Sequence, residues 1–234
     1  ETIAFKDAST TMTVRMNGLH SLALAEPAQV TVASLQTGVA IANLSFKIGG
    51  TWNLAEKMPL VELSDFRCQA LGGTIHSPRW VVDSTHTRYE MTVFLDELDL
   101  AKVLSLERHR ALQGSGTLSG TLPVIIESSG ITIKNGLLIA SPPGGVIRST
   151  SSEDSLKSLL GANMELPMAA QALSNFHYTV LIIKVDVTNT GELLLTARVE
   201  GKNPDFPAVP PIHFNLTIQE HVPSLLNRLR LGEE

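Results

Sequence analysis

The chain has 234 residues, 43% of them hydrophobic but only 5% aromatic, and its 18 Lys and Arg against 23 Asp and Glu give a formal net charge of −5. The apolar content is therefore aliphatic. It lacks both the aromatic stacking surfaces that single-stranded nucleic acid favours and the basic stripe a phosphate backbone requires, so nucleic acid is not a partner. Cys68 is the one cysteine, which excludes an internal disulfide and a cysteine zinc site and predicts a small buried hydrophobe.

No run approaches the roughly 18 to 20 apolar residues that cross a bilayer, and no charged segment followed by an apolar one opens the chain. It begins at Glu1 rather than Met. The expectation is a piece of a longer protein, with any signal or membrane anchor upstream.

The first half alternates with period two. Met12, Val14 and Met16 share one face, and Val30 and Val32 open the next strand before a turn at Gln36 to Gly38. Ile41 is followed by Leu44, Phe46 and Ile48, a slip of phase at Ala42 and Asn43 that predicts a β-bulge. Gly49-Gly50, Gly72-Gly73 and Ser77-Pro78 read as turns, with further strands over 60–71 and 79–83. Met91, Val93 and Leu95 alternate, and then Leu98, Val103 and Leu106 take helical spacing behind Asp96, Glu97 and Asp99, predicting a short helix over 96–108.

Strand character resumes with Leu118, Leu122, Val124 and Ile126, then Ile131 and Ile133, then Leu137 and Ile139 after a hairpin signal at Asn135-Gly136. Ser151 to Asp154 reads as a capped helix start ending near Gly161, and 167–175 as a further helical turn or two. The clearest hairpin pairs Leu181, Ile183, Val185 and Val187 with Leu193, Leu195, Ala197 and Val199 across Thr188 to Gly191, and Ile212, Phe214, Leu216 and Ile218 continue the series. Leu225, Leu226 and Leu229 beside Arg228 and Arg230 predict a short amphipathic helix at the C-terminus.

Chemistry-bearing motifs are scarce. The seven histidines include no two at i,i+2, i,i+3 or i,i+4, so no local metal pair forms. Asp96, Glu97 and Asp99 could act as paired carboxylates, but a helix N-terminus accounts for them. Gly114-x-Gly116-x-x-x-Gly120 lacks the dinucleotide spacing and leads into a strand rather than a helix, and no Gly-x-Ser-x-Gly elbow occurs. No catalytic residue, metal or cofactor is expected. The apolar strand faces fit equally the core of a closed sandwich and the floor of an open groove, because both demand the same alternation.

Several blocks over about 112–231 resemble the C-terminal module of the YdbH-like proteins, part of the AsmA-like group of bridge-like lipid transport proteins of the Gram-negative envelope. They are Gly116-x-Leu-Ser-Gly-x-Leu-Pro-Val124, Ile133-x-x-Gly-x-Leu138 running into Pro143 to Arg148, Ala172-Leu-x-x-Phe-x-Tyr178, Gly191-x-Leu-x-Leu195, Gly201-x-Asn-Pro204, and Leu225-Leu-x-x-Leu-Arg230. Residues 1–111 agree in style, as a repeated short-strand segment with a short helix near its end, continuous with the module at 112–234. The resemblance implies a mainly β fold, a long antiparallel meander curled into an open groove or taco-like half-barrel with a few short helices. It implies a non-enzymatic periplasmic conduit that moves phospholipid between inner and outer membranes, in a protein anchored upstream in the inner membrane.

On that reading the acyl chains lie on Val14, Met16, Val32, Ile41, Phe46, Val93, Leu118, Leu122, Val124, Ile126, Leu181, Ile183, Val185, Leu193, Leu195, Phe214 and Leu216. The glycines supply bends. A small outer-membrane lipoprotein adds a strand at the edge formed by Ile212, Phe214, Leu216 and Ile218. Two alternatives stand beside it: a structural or interaction module that docks the lipoprotein without holding lipid, and binding of a small dicarboxylate, a label the family has also carried, for which Arg148, Arg198 and Lys202 are the candidate cations.

Overall fold

A computed structural model describes residues 4–16, 21–36, 39–53, 58–83, 86–106, 112–149, 171–206 and 211–221. In chain order the elements are β1 (Ala4–Thr10), β2 (Val14–Met16), β3 (Ser21–Leu24), β4 (Ala28–Gln36), β5 (Ala40–Asn53), β6 (Met58–Ala70), β7 (Gly73–Asp83) and β8 (Arg88–Asp99), then the helix α1 (Leu100–Leu104). There follow β9 (Leu112–Gly114), β10 (Thr117–Glu127), β11 (Gly130–Ala140), β12 (Gly145–Ser149), β13 (Phe176–Val187), β14 (Glu192–Lys202) and β15 (Ile212–His221).

All these strands belong to one antiparallel sheet, in the order β1-β4-β5-β6-β7-β8-β10-β11-β13-β14-β15. Two short branches leave that path. β3 continues beside β5 where β4 ends and carries β2, while β12 continues beside β13 where β11 ends and carries β9. β1 and β15 do not pair, so the sheet is open, and no second sheet lies against it among the described residues. The alternation predicts the mainly β fold and the resemblance implies the open meander, and both are found; a closed sandwich does not form.

The sheet must curl. α1 leaves the end of β8, yet its Leu100, Val103 and Leu104 line one cavity together with Leu216 and Ile218 of β15, five strands away in the sheet order. At about 4.8 Å per strand a flat sheet would hold those groups more than 20 Å apart. Bulges provide the bending. Asp7, Asn43, Asp65, Glu97 and Asn135 have φ between 51° and 57° within strands, and the register slips near Asn43, Asp65, Glu97 and Asn135. The bulge expected at Asn43 is present, its Nδ2 donating to Gln69 Oε1 at 2.9 Å. Of these five positions none is glycine and four are Asp or Asn, whose short polar side chains tolerate the left-handed region.

Several local expectations change. The helix predicted over 96–108 begins only at Leu100: Asp96 to Asp99 complete β8, because Leu98 pairs with Leu118 and is buried, and Asp99 Oδ1 accepts from the Ala101 N–H at 2.9 Å as the cap. Gly49-Gly50 and Ser77-Pro78 lie inside β5 and β7 rather than in turns. Gly50 lets the Leu60 carbonyl approach where a Cβ would stand. At Pro78, which has no N–H to give, the backbone pairing of β7 with β8 stops after His76. Side chains bridge the gap: buried Ser77 donates to the Thr92 carbonyl at 2.7 Å and accepts from Trp80 Nε1. Asn135-Gly136 is a bulge within β11, the Asn135 N–H donating to Asp186 Oδ1 at 2.9 Å, while the hairpin turns at Ser128-Ser129. A turn of helix stands at 171–173; the helices predicted at 151–161 and 225–230 and the rest of 167–170 lie outside the described residues.

Burial is lopsided. Before Leu95, the buried hydrophobic residues among those described are Ala28, Cys68 and Ala70, whereas from Leu95 onward a continuous core runs through Leu118, Phe176, Val199 and Phe214. The glycine motifs meet at its end around Tyr178, whose hydroxyl donates to the Ser115 carbonyl at 2.9 Å. Gly116 (φ +118°), Gly144, Gly145 and Gly201 all face Tyr178 or its neighbours at distances that leave no room for a Cβ. Asn203 closes the same junction. It is 6% exposed, its Nδ2 donates to the Gln171 carbonyl at 2.9 Å and Ser174 Oγ at 3.0 Å, and its Oδ1 accepts from the Asp205 N–H at 2.9 Å. Asn203→Ala strips those partners together, so thermal or denaturant unfolding is expected to show a loss of about 1–3 kcal/mol; an unchanged midpoint would deny it that role.

Candidate functional site

The inner face is built in rows set by the register. Leu181, Val199 and Phe214 stand opposite one another on β13, β14 and β15, as do Ile183, Ala197 and Leu216, and then Val185, Leu195 and Ile218. Ile183 continues across β11 through Leu138 to Gly120 of β10, and Leu95 of β8 carries the row to Ile75 and Cys68. In the N-terminal strands Val30 faces Phe46, and Val32 faces Leu44.

A cavity of about 110 Å³ opens where α1, β9 and β12 fold over this face. Leu100, Val103, Leu104 and Leu106 come from α1 and its end, Leu112 from β9 and Ile147 from β12. Opposite them stand Leu181, Ile183, Leu193, Leu195, Ala197, Leu216 and Ile218. Every lining side chain is aliphatic. Gly114 of β9 has α1 seated directly on it, because a Cβ there would press on Leu104 and Leu100. A second, more open hollow of about 210 Å³ lies near the other end of the sheet, among Val14, Leu22, Ile48, Trp52 and Leu60.

The expected lining residues are distributed unevenly. Leu181, Ile183, Leu193, Leu195 and Leu216 line the cavity; Leu118, Val185 and Phe214 are buried in the core beside it, with Val93 and Leu122 packed partly buried against that core. Val32, Ile41, Phe46, Val124 and Ile126 are half-buried. Val14 and Met16 are 54% and 60% exposed on the short β2, Val14 bordering the second hollow. Leu100, Val103, Leu104, Leu112 and Ile147 were not foreseen; the signal for the first three was their i, i+3, i+4 spacing directly after Asp99.

Ile212, Phe214, Leu216 and Ile218 sit on β15, which pairs only with β14 among the described residues. That pairing runs unbroken from Glu192–His221 to Gly201–Ile212, and β15 contains neither Lys nor Pro. These are the devices that usually blunt a free edge. β1 at the opposite edge carries Lys6 and the positive-φ Asp7.

Polar chemistry is sparse. Burial pushes the Cys68 thiol and the Tyr178 phenol up from their ordinary values, keeping both neutral. Arg148 is held by Asn175 Oδ1 at 2.9 Å, and Arg198 pairs with Glu200 on its own strand, so these two cations do not converge on a common site. Among the described residues no group of three or more His, Cys, Asp or Glu could hold a metal ion, and no helix is long and apolar enough to cross a membrane.

An open antiparallel sheet, curled by bulges around an aliphatic inner face, places the chain among groove-forming β proteins. Residues 2–234 match the family described as YdbH-like, intermembrane phospholipid transport protein YdbH. The chain belongs to the YdbH-like family. It is 21% identical over 217 residues to the probable phospholipid transport protein YdbH of Escherichia coli (strain K12), a match that covers 93% of this chain and 24% of that protein. The chain thus spans about a quarter of the length of that relative. No solved structure matches.

Proposed function

We propose that this chain is a segment of a non-enzymatic lipid conduit, in which phospholipid acyl chains lie along the inner face of the sheet on their way between the two membranes of the envelope, in the periplasm. The observation that carries the reading is the cavity under α1, whose walls are aliphatic throughout and continuous with the inner face of β13 to β15. Exposing acyl chains to water costs about 0.8 kcal/mol per methylene, which amounts to tens of kcal/mol for two chains. An apolar lining removes that cost without any particular catalytic group. The family description and the name of the E. coli relative point the same way.

A photo-crosslinking residue tests it. Placed at Leu195 on the inner face, it is expected to capture phospholipid during gentle purification; placed at Leu194, on the opposite face and 36% exposed, it is expected to capture none. Equal labelling at both positions, or no lipid by mass spectrometry, overturns the reading.

The β15 edge supports a second, compatible role: docking of a small outer-membrane lipoprotein by strand addition, the unbroken register and absence of Lys and Pro leaving its outer hydrogen-bonding row available. A backbone-pairing partner crosslinks at His213 or Asn215 in the intact envelope on this reading, and crosslinks only at β1 would refute it.

A further inference from the structure

The hollow on the other side of α1 is lined by charged and apolar side chains together. It encloses about 630 Å³ open to solvent, borders the Leu71 to Gly73 turn between β6 and β7, and shares Leu106 with the aliphatic cavity. In a regular strand Asp96 and Glu97 would point to opposite faces. The φ of 54° at Glu97 breaks the alternation, and both residues line this hollow. α1 divides its side chains likewise: Leu100, Val103 and Leu104 go to the cavity, Lys102 and Ser105 to the hollow. Asp96 Oδ2 lies 3.0 Å from His76 Nε2. The Lys102 ammonium and the Glu97 carboxylate form no ion pair with any described residue.

Among the described residues the hollow presents one unpaired lysine and two carboxylates, one of them beside His76, and it meets an aliphatic cavity at Leu106; few ligands match that combination. A bare phosphate or a purely anionic headgroup would satisfy Lys102 but meet the Glu97 carboxylate uncompensated, with Asp96 already beside His76. A fatty acid would need no carboxylates at all. A headgroup that carries a phosphate and a primary ammonium satisfies both signs, while its acyl chain passes Leu106 into the cavity.

We propose that the hollow bounded by Lys102, Asp96 and Glu97 is a headgroup subsite for a zwitterionic, amine-bearing phospholipid. Lys102 pairs with the phosphate, and the carboxylates take the ammonium in charge-assisted hydrogen bonds. The proposal rests on the reading of the inner face as lipid-bearing, and it adds a selectivity that a smooth aliphatic floor lacks.

The test incubates the protein with vesicles of equimolar phosphatidylethanolamine and phosphatidylglycerol, re-isolates it and quantifies bound lipid by mass spectrometry, with diacylglycerol as a probe that lacks both phosphate and ammonium. The wild type is expected to be enriched in phosphatidylethanolamine. Lys102→Glu should lower retained phospholipid about tenfold, the scale of one lost charge-assisted contact, with diacylglycerol retention unchanged. Glu97→Lys should turn the enrichment towards phosphatidylglycerol. Lys102 and Glu97 are both exposed, so neither change threatens the fold, and a thermal melt checks this. Equal retention of the two phospholipids by the wild type, or no effect of Lys102→Glu, overturns the subsite and leaves the conduit standing. Displacement of lipid by millimolar inorganic phosphate would assign the hollow to free phosphate and also overturn it. A wild type that retains neither phospholipid nor diacylglycerol overturns the conduit itself.

Discussion

Leu195→Glu is expected to empty the cavity, lowering the phospholipid that co-purifies with the protein by more than tenfold. Leu195 stands between Val185 and Ile218 in the row that floors the cavity, with α1 opposite. A carboxylate there meets only aliphatic neighbours. It must either remain hydrated, drawing water into the space an acyl chain would fill, or take up a proton and leave an unsatisfied polar group. Both outcomes remove the advantage of about 0.8 kcal/mol per methylene that holds the chain, and two displaced methylenes already exceed a tenfold change. The position is partly exposed in the described structure, so the folded protein tolerates the charge better than the lipid does. Leu194→Glu is the matched control: one residue away, on the outer face, it is expected to leave both lipid content and stability unchanged within about 0.5 kcal/mol. Wild-type lipid content in Leu195→Glu would mean that the chains lie elsewhere.

What the sequence made legible follows its periodicity. The β13 and β14 faces emerge with the pairing read from their alternation, Leu181 to Val187 against Leu193 to Val199, because a strand with one buried face fixes its own register. The bulge at Asn43 was visible as a slip of phase for the same reason. Asp96 to Asp99 misled because acidic residues favour a helix start, yet only Asp99 caps one, and the apolar positions Leu95 and Leu98 hold the rest in the strand. Asn135-Gly136 carries the local signature of a tight hairpin, but β13 pairs on both sides of it and turns the same dipeptide into a bulge. The part of the cavity's roof outside α1 was not legible: Leu112 and Ile147 reach it through the pairing of β9 with β12, thirty-odd residues apart, which no local pattern encodes. Nor could alternation separate core from groove. That distinction lies in what covers each face: among the described residues no helix precedes β8, and the strands before it keep the same pattern with few fully buried side chains.

Phe176→Ala is expected to be the most damaging single truncation in the chain, costing about 3–5 kcal/mol. Phe176 is fully buried, its ring edge-on to Phe214 at 4.9 Å, and its backbone pairs with Ile147 of β12. It therefore joins three parts: the branch that roofs the cavity, the central β13, and the edge strand β15. At about 2–4 °C per kcal/mol for a chain of this size, the melting midpoint should fall by roughly 6–20 °C, and a fall below about 3 °C would contradict this role. Val14→Ala, at a position 54% exposed, should barely move it. Amide hydrogen exchange should localise the loss, with protection falling in β12 and β15 before it falls in β5 and β6. The contact with Phe214 also explains how β15 serves as an edge without fraying: its inner side chains, Phe214 and Leu216, are buried in the core, while its outer backbone row has no pairing strand among the described residues. Loss of Phe176 should then loosen the cavity and the edge together, and lipid content and strand addition should fail in step in that variant, whereas Leu195→Glu should cost the lipid alone.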